Sequence, residues 1–200
     1  MISDAYDVTG CYNLQCSGFI QTSRTVVIGG TIAPVSIFEG SQFEIIISVW
    51  KVNPKYGNWW LSLGSNHSLV GYWPAEIFTS LSSADTVQWG GEIVNTQSSG
   101  RHTTTQMGSG HFLGEGFGKV SYLRNVEILE NNNSFQPVQN VQVRVSNSRF
   151  YDIRNKSRED WASYIFYGGP GFTPMHSGVS SSSVLSSLLF YFSFIIFLLV

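Results

Sequence analysis

Charged residues are scarce in this sequence. They make up 12% of its 200 residues, and 11 Lys or Arg against 13 Asp or Glu leave a formal net charge of -2. That charged share is about half of what soluble proteins usually have. Because the sequence contains no basic patch that could neutralise phosphates, it gives no reason to expect a nucleic acid partner. Aromatic residues at 14% and 20 glycines are plentiful instead, and this combination favours an all-β protein with many turns.

Cysteine is also scarce, with Cys11 and Cys16 as the only two in the sequence. The pair could be half of a zinc site, but no second pair of Cys or His follows at a suitable spacing. We therefore expect no metal and no cofactor, and we interpret the pair as a small loop closed by a disulfide. Such a disulfide implies an oxidising compartment. Weak N-glycosylation signals occur at Asn66, Asn132 and Asn155.

The two ends of the sequence give conflicting indications about targeting to a membrane or to the secretory pathway. Residues 1–7 contain neither a basic segment nor an apolar core, so they are no secretory signal peptide, and we expect the chain to begin inside a domain. A Ser/Gly linker at 172–183 precedes an apolar run at 184–200. The run is at the lower length limit for a membrane-spanning helix. A C-terminal anchor helix and a lipid-anchor signal with a removable tail are the favoured interpretations. A buried core helix is disfavoured because the run has no polar face.

Strand-like segments dominate the rest of the chain. A short helix is predicted over 74–81, because proline precedes apolar residues at helical spacing, and the glycine-rich 98–118 is predicted to be a long loop. Short antiparallel strands separated by turns predict a β-sandwich or barrel. The predicted strands, which are rich in β-branched and aromatic residues, are 18–23, 25–33, 42–50, 58–63, 69–73, 86–94, 119–129, 141–145 and 164–167.

Glu92 is the acidic residue with the most informative neighbours. It follows Trp89, Gly90 and Gly91, and glycine lets a ligand backbone approach closely. A glutamate held against an indole can have a raised pKa and act as a general acid or base. The alternative is a surface glutamate at the end of a strand, and spacing alone favours that alternative. Carboxylate hydrolases usually need a second such group.

Aromatic residues are concentrated at Trp59, Trp60, Tyr72 and Trp73. Their rings could form a groove that stacks a proline ring or a sugar. The alternative is packing in the core, which is the better explanation for at least half of them.

Ser109 and His111 invite comparison with a serine hydrolase. We reject that class, because a nucleophile and its base are rarely so close in sequence and no acid is placed to orient the histidine. Glu115 lies between two glycines, and we expect it to be exposed in a flexible loop.

Several segments together resemble signatures of the plant neprosin family, and the similarity covers about residues 4–171. They are 10–19, 57–61, 71–74, 89–92, 107–112 and 167–171, in the family's order. The resemblance implies a secreted glutamic peptidase that cleaves Pro-containing peptides in acid, with its active site in the groove of a β-sandwich of two antiparallel sheets. It implies that Glu92 is one of two glutamates that activate a water, and that the family's disulfide joins Cys11 to Cys16.

The chain departs from the family's pattern before Cys11. The family's other catalytic glutamate lies upstream of the cysteine pair, where this sequence has only Asp4 and Asp7 as acids. We therefore expect 1–171 to be a partial neprosin-like domain, a sandwich incomplete at its N-terminal side, with impaired activity. Substrate binding is assigned to the aromatic residues and to Trp89, Gly90 and Gly91.

A different class of function is the alternative. On that hypothesis the chain is a non-enzymatic module, held to a membrane through 184–200, that binds Pro-rich or carbohydrate polymers through its aromatic residues. On either hypothesis we expect a membrane-bound or extracellular location, although this chain contains no signal peptide.

Overall fold

The computed structural model describes residues 14–15, 17–53, 55–79, 81–95, 97–130, 134–158, 162–173 and 197–199. Within these ranges the only helical elements are single 3-10 turns at Ala75–Ile77 and Leu113–Glu115. The prediction of an all-β fold is therefore confirmed for the part of the chain that the structure describes. The strands are β1 (Ile20–Gln21), β2 (Ile47–Lys51), β3 (Trp59–Leu63), β4 (Ser68–Trp73), β5 (Thr86–Gln88), β6 (Ser121–Arg124), β7 (Glu127–Leu129), β8 (Phe135–Pro137), β9 (Asp152–Arg158), β10 (Ala162–Gly168) and β11 (Phe197–Leu199).

The strands form small antiparallel sheets in two compact units. Unit 1 comprises the described residues within 1–36, 42–87 and 198–200, and unit 2 those within 37–41 and 88–197. In unit 1 the strand order of the main sheet is β1-β4-β3-β2, and in unit 2 it is β6-β10-β9, with β7 paired to β8. The registers in these sheets are all antiparallel. A packing of sheets into one sandwich, incomplete at its N-terminal side, stays a prediction.

The core of unit 1 lies against β3 and β4. Trp59, Leu61, Val70 and Leu81 are buried there, and Val70 has a relative exposure of 0%. The register of the two strands shifts between Leu61 and Ser62, so that Val70 is the extra residue of a β-bulge. Burial of these large apolar side chains supplies the main driving force for folding of the unit.

A lysine ties the segment after β4 to this core. Lys51 is paired with Trp59 across β2 and β3, and its Nζ lies 5.8 Å from the centroid of the indole. Lys51 Nζ and Trp59 Nε1 both donate to the carbonyl oxygen of Leu81, over 2.9 and 3.3 Å. Partial burial lowers the pKa of Lys51.

The helix predicted over 74–81 stops after one 3-10 turn, because Phe78 is already extended, at φ -108° and ψ 130°. The chain then continues to Leu81, which lies in the core.

The core of unit 2 is built around its middle strand, β10. Tyr164, Ile165 and Tyr167 of this strand are buried, and backbone ladders to β6 and β9 flank it on both sides. Among the described residues of the unit, Leu113, Val120, Val126 and Tyr151 are also buried.

The strand predicted over 25–33 does not form, because local bonds occupy its backbone. Ser23 Oγ accepts hydrogen bonds from the amides of Thr25 and Val26, over 3.3 and 3.0 Å. The amide of Ile28 donates to Gln21 Oε1 over 3.1 Å. Side chains that bond neighbouring backbone groups in this way compete directly with a sheet ladder.

Other predicted strands are shorter than their patterns or missing. The strand predicted over 86–94 ends at Gln88, since Gly90 and Gly91 provide no side chains to pack on a sheet. The segment 141–145 forms no strand, and two of its valines are exposed. The predictions missed β8 and β9, and the segment 119–129 divides into β6 and β7.

The predicted C-terminal helix is not found. Most of 184–200 lies outside the described residues, and its described part, β11, is a strand that pairs with β5. Among the described residues there is no helix long and apolar enough to cross a membrane. The linker predicted at 172–183 is described only at 172–173.

Replacement of Gly71 tests the packing of unit 1. A Cβ atom there would lie 2.7 Å from Cζ and 2.8 Å from Cε1 of Phe19, and would also meet the carbonyl oxygen of Ile20. We expect Gly71→Ala to lower the free energy of unfolding by about 1–3 kcal/mol, the usual cost of overpacking. Chemical denaturation measures this change. Leu69→Ala in the same strand is the control, because Leu69 is 48% exposed, and an equal loss in both variants would contradict the prediction.

Candidate active site

The segment that carries Glu92 leaves the end of β5 without regular structure. Trp89, Gly90 and Glu92 are half-buried, and Gly91 is exposed. A Cβ atom on Gly91 would lie 3.0 Å from Cγ and Sδ of Met107 and 3.3 Å from Cε2 of Tyr167. These distances are shorter than ordinary van der Waals contacts, so the absence of a side chain lets the backbone run directly along Met107 and Tyr167.

The residues that Gly91 contacts belong to two segments that are themselves paired. The amide of Met107 donates to the carbonyl oxygen of Gly169 over 2.9 Å, and the amide of Gly169 donates back over 3.3 Å. A Cβ atom on Gly168 would lie 2.5 Å from the carbonyl oxygen of His111. The structure thus brings together 89–92, 107–112 and 167–171, each of which contributes to the family resemblance.

Glu92 carries a partly buried carboxyl group. Its Oε2 is shielded from solvent and has no hydrogen-bond partner among the described residues. Burial raises the pKa of this carboxyl above its ordinary value, because the charged form loses hydration. A carboxylic acid that keeps its proton to a higher pH can transfer it to a reacting group as a general acid.

The neighbours of Gly91 add no charge to the site. Burial raises the pKa of Tyr167 to about 12, so its hydroxyl group stays protonated at physiological pH, and Met107 is uncharged. Neither side chain can stabilise an ionised Glu92 by opposite charge, which agrees with desolvation as the cause of the raised pKa.

His111 has an acidic partner that sequence reasoning did not find. Its Nδ1 lies 2.8 Å from Oε1 of Glu115, and its ring stacks on Phe38 with a centroid separation of 4.3 Å. The expectation that no acid orients this histidine is wrong, because the 3-10 turn at Leu113–Glu115 brings the carboxylate back to it. Glu115 is exposed, as expected. Ser109 Oγ has no hydrogen-bond partner among the described residues, so His111 does not activate it.

The predicted aromatic residues belong to unit 1. Trp59 is buried in the core, whereas Trp60, Tyr72 and Trp73 are half-buried. Trp60 and Tyr72 are directly paired across β3 and β4 and share one face of the sheet, with ring centroids 4.8 Å apart. Trp73 packs edge-on against Phe19 at 4.7 Å. Glu92, in contrast, belongs to unit 2.

The other predicted sites are only partly described. Cys11, Cys16 and Asn132 lie outside the described residues, so the disulfide stays a prediction. Asn66 is exposed, and its Oδ1 accepts a hydrogen bond from Ser68 Oγ over 3.0 Å. Asn155 lies in β9 with a buried Oδ1, a setting less open to a glycan than that of Asn66. No cluster of His, Cys, Asp or Glu able to hold a metal ion occurs in the described part of the chain.

Met107 and Tyr167 are the site residues that sequence reasoning did not single out. Both lie in glycine-rich segments that carry the family resemblance, as Met107-Gly108 and Tyr167-Gly168. The glycines were the available signal, since glycine beside a large side chain marks a close approach of backbones. The identity of the partner, Gly91, depends on tertiary structure and could not be read from the spacing.

Comparison with known families gives an independent result. The sequence model of a family described as Neprosin matches residues 1–170 of the 200-residue chain. The match includes all three segments that meet at Gly91.

The pH dependence of stability tests the burial of Glu92. The pKa of the Glu92 carboxyl is higher in the folded state than in the unfolded chain. Its favourable contribution to the free energy of unfolding is therefore complete below the unfolded pKa of about 4.3, and this contribution is lost as pH rises through the folded pKa. We expect Glu92→Gln to be more stable than the unmodified chain at about pH 7, with a difference that shrinks toward about pH 4. Denaturation at each pH measures the difference. Exposed Glu76 provides the control, Glu76→Gln, and equal profiles for the two variants would refute the prediction.

Two adjacent glycines provide a matched test of the close approach. A Cβ atom at Gly90 would meet nothing within 4 Å, in contrast to Gly91. Replacement of an unconstrained glycine by alanine usually stabilises a protein slightly by restricting the unfolded chain. We expect the free energy of unfolding of Gly91→Ala to be about 1–2 kcal/mol lower than that of Gly90→Ala. The reason is that the added methyl group would lie only 3.0 Å from the side chain of Met107 and 3.3 Å from that of Tyr167. Indistinguishable stabilities would mean that the contact is not tight.

Proposed function

This chain belongs to the neprosin family of peptidases, and from that premise we propose that it is a glutamic endopeptidase that cleaves peptides at proline. The proposed substrate is a Pro-containing peptide or protein, and the proposed catalyst is Glu92 with an activated water. No cofactor takes part in the proposed reaction. The proposed place of action is extracellular or at a membrane, as the resemblance implies.

The setting of Glu92 is the single observation that carries the proposal. Its Oε2 is removed from water and lacks a partner among the described residues, and burial raises the pKa of the carboxyl. In peptide hydrolysis a base takes a proton from the attacking water, and an acid delivers a proton to the leaving amine. A desolvated carboxyl of raised pKa suits the protonated role, most of all in acid.

One carboxyl does not fill both roles. When two carboxyl groups cooperate, their environments hold one protonated and the other ionised. Glu92 is the only glutamate of residues 1–200 in a segment that matches a catalytic signature of the family. Removal of one member of a cooperating set usually costs orders of magnitude in rate. We therefore propose that a polypeptide of these residues alone hydrolyses its substrate slowly.

Trp60 and Tyr72 favour a second candidate function in another class. They form a half-buried pair of rings on one sheet face, and Trp50 is paired directly with Trp60 on the same face. Aromatic rings in such a row can stack on flat apolar surfaces of sugars or proline. This arrangement supports the alternative of a module that binds carbohydrate or Pro-rich polymers without cleaving them.

Cleavage of a Pro-containing peptide at acid pH tests the peptidase proposal. The 200-residue chain is incubated in excess over peptide, and products are identified by mass spectrometry. We expect slow cleavage that falls by about 100-fold or more in Glu92→Gln, because the variant cannot transfer a proton. Glu76→Gln, with the same chemical change at an exposed position, should cleave at the unmodified rate.

The outcomes separate the parts of the proposal. Cleavage that survives in Glu92→Gln would exclude Glu92 as the catalyst. Rapid turnover that Glu92→Gln abolishes would assign the catalyst correctly but refute the impairment. Binding without cleavage, unchanged in Glu92→Gln and lost in Trp60→Ala, would support the non-enzymatic function instead.

A further inference from the structure

Ser109 is a second buried polar group that has no partner near the Glu92 segment. Its Oγ is shielded from solvent, and no hydrogen bond to it is found in the part of the chain that the structure describes. A buried hydroxyl group without a partner is costly, so native proteins rarely keep one unless a ligand or a water satisfies it. The proposed reaction has so far given this hydroxyl group no role.

The turn around Ser109 holds the hydroxyl group in place. The amide of Gly110 donates to the carbonyl oxygen of Met107 over 3.0 Å, which closes a tight turn. Gly108 has a φ of 59° within that turn, a conformation that other residues adopt with strain. A Cβ atom on Gly108 would also lie 2.6 Å from Ser121 Oγ. The turn is thus packed against β6 in a conformation that depends on Gly108.

The same turn meets the segment of Glu92. The side chain of Met107, at the start of the turn, lies against the backbone of Gly91, which directly precedes Glu92. Glu92 Oε2 and Ser109 Oγ are therefore two buried oxygens, unpartnered among the described residues, on segments that share one contact. A hydroxyl group can donate a hydrogen bond to a peptide carbonyl oxygen, and a carboxyl group can exchange a proton with water.

We propose that Ser109 is a positioning residue for substrate, with its hydroxyl group donating a hydrogen bond to a backbone carbonyl oxygen of a bound Pro-containing peptide. The inference rests on the proposed peptidase function and adds a substrate contact to it. Ser109 forms no covalent bond with the substrate. Its contribution is to hold the peptide against the segment that carries Glu92.

Direct measurement of peptide binding tests the role of Ser109 separately from catalysis. The full chain carries Glu92→Gln, so that the peptide is not cleaved, and calorimetry gives the Kd of a Pro-containing peptide at acid pH. We expect Ser109→Ala to weaken binding by about 5-fold, the factor for one ordinary hydrogen bond. Ser109→Thr, which keeps a hydroxyl group, should retain most of the affinity.

Ser62 offers a matched control in unit 1. Its Oγ is also buried without a partner in the described structure, but it lies on β3 rather than in the turn beside Glu92. Ser62→Ala removes the same kind of group and should leave peptide binding unchanged. In a second peptide, sulfur replaces the carbonyl oxygen before proline and is a weaker hydrogen-bond acceptor. Ser109→Ala should change the affinity for this peptide much less than the affinity for the first one.

Each result either supports the inference or overturns it. Equal affinity with and without Ser109→Ala, equal losses for both peptides, or no binding of either peptide would overturn it. If only the catalytic proposal fails, the result is different from these. A chain with intact Glu92 then binds the peptide, and the binding depends on Ser109, but the peptide is not cleaved. Cleavage that depends on Glu92, with KM unchanged by Ser109→Ala, would leave the peptidase proposal standing and remove Ser109 from it.

Discussion

Close packing at glycine is the constraint on which the candidate site depends. Gly91 lies directly against Met107 and Tyr167, Gly168 against the carbonyl oxygen of His111, and Gly171 against that of Thr105. A side chain at Gly168 or Gly171 would overlap a backbone carbonyl oxygen, and one at Gly91 would press against the side chains of Met107 and Tyr167. Overpacking typically costs about 1–3 kcal/mol. The three segments therefore approach one another at glycines, and this approach places the segment of Glu92 beside Met107 and Tyr167.

Two buried oxygens that lack partners in the described structure have roles in the proposed reaction. Glu92 Oε2 and Ser109 Oγ are buried without partners in the described structure, and each typically costs about 1–3 kcal/mol in the absence of a ligand. Ser62 Oγ is in the same state, but it lies within the strand ladder of unit 1, beside a β-bulge. Burial alone therefore does not identify a binding group. What distinguishes Glu92 and Ser109 is that their segments meet, with chemistry that suits a peptide and a water.

The sequence predicted the parts of the fold that apolar pattern controls. β3, β4 and β10 are dense in aromatic and aliphatic residues and were expected close to their observed positions. β9, in contrast, is highly polar and is held by its backbone ladder to β10, which no side-chain pattern reveals. The segment 25–33 has a strand-like composition, but Gln21 and Ser23 bond its amides. At the site, Glu92 was predictable from its motif, whereas the contact of Gly91 with Met107 arises only from the tertiary fold.

The cause of the raised pKa at Glu92 restricts its role in the proposed mechanism. Desolvation penalises the ionised form whatever else is nearby, so Glu92 is biased toward its protonated state before any second carboxyl group is considered. If a second carboxylate approached, their repulsion would raise one of the two pKa values further, and the two groups would titrate as a pair. The proton would stay on the less hydrated member. In the proposed mechanism Glu92 is therefore the acid, and the proposed partner is a more solvated or hydrogen-bonded group, because such a group stays ionised more readily and can act on the water.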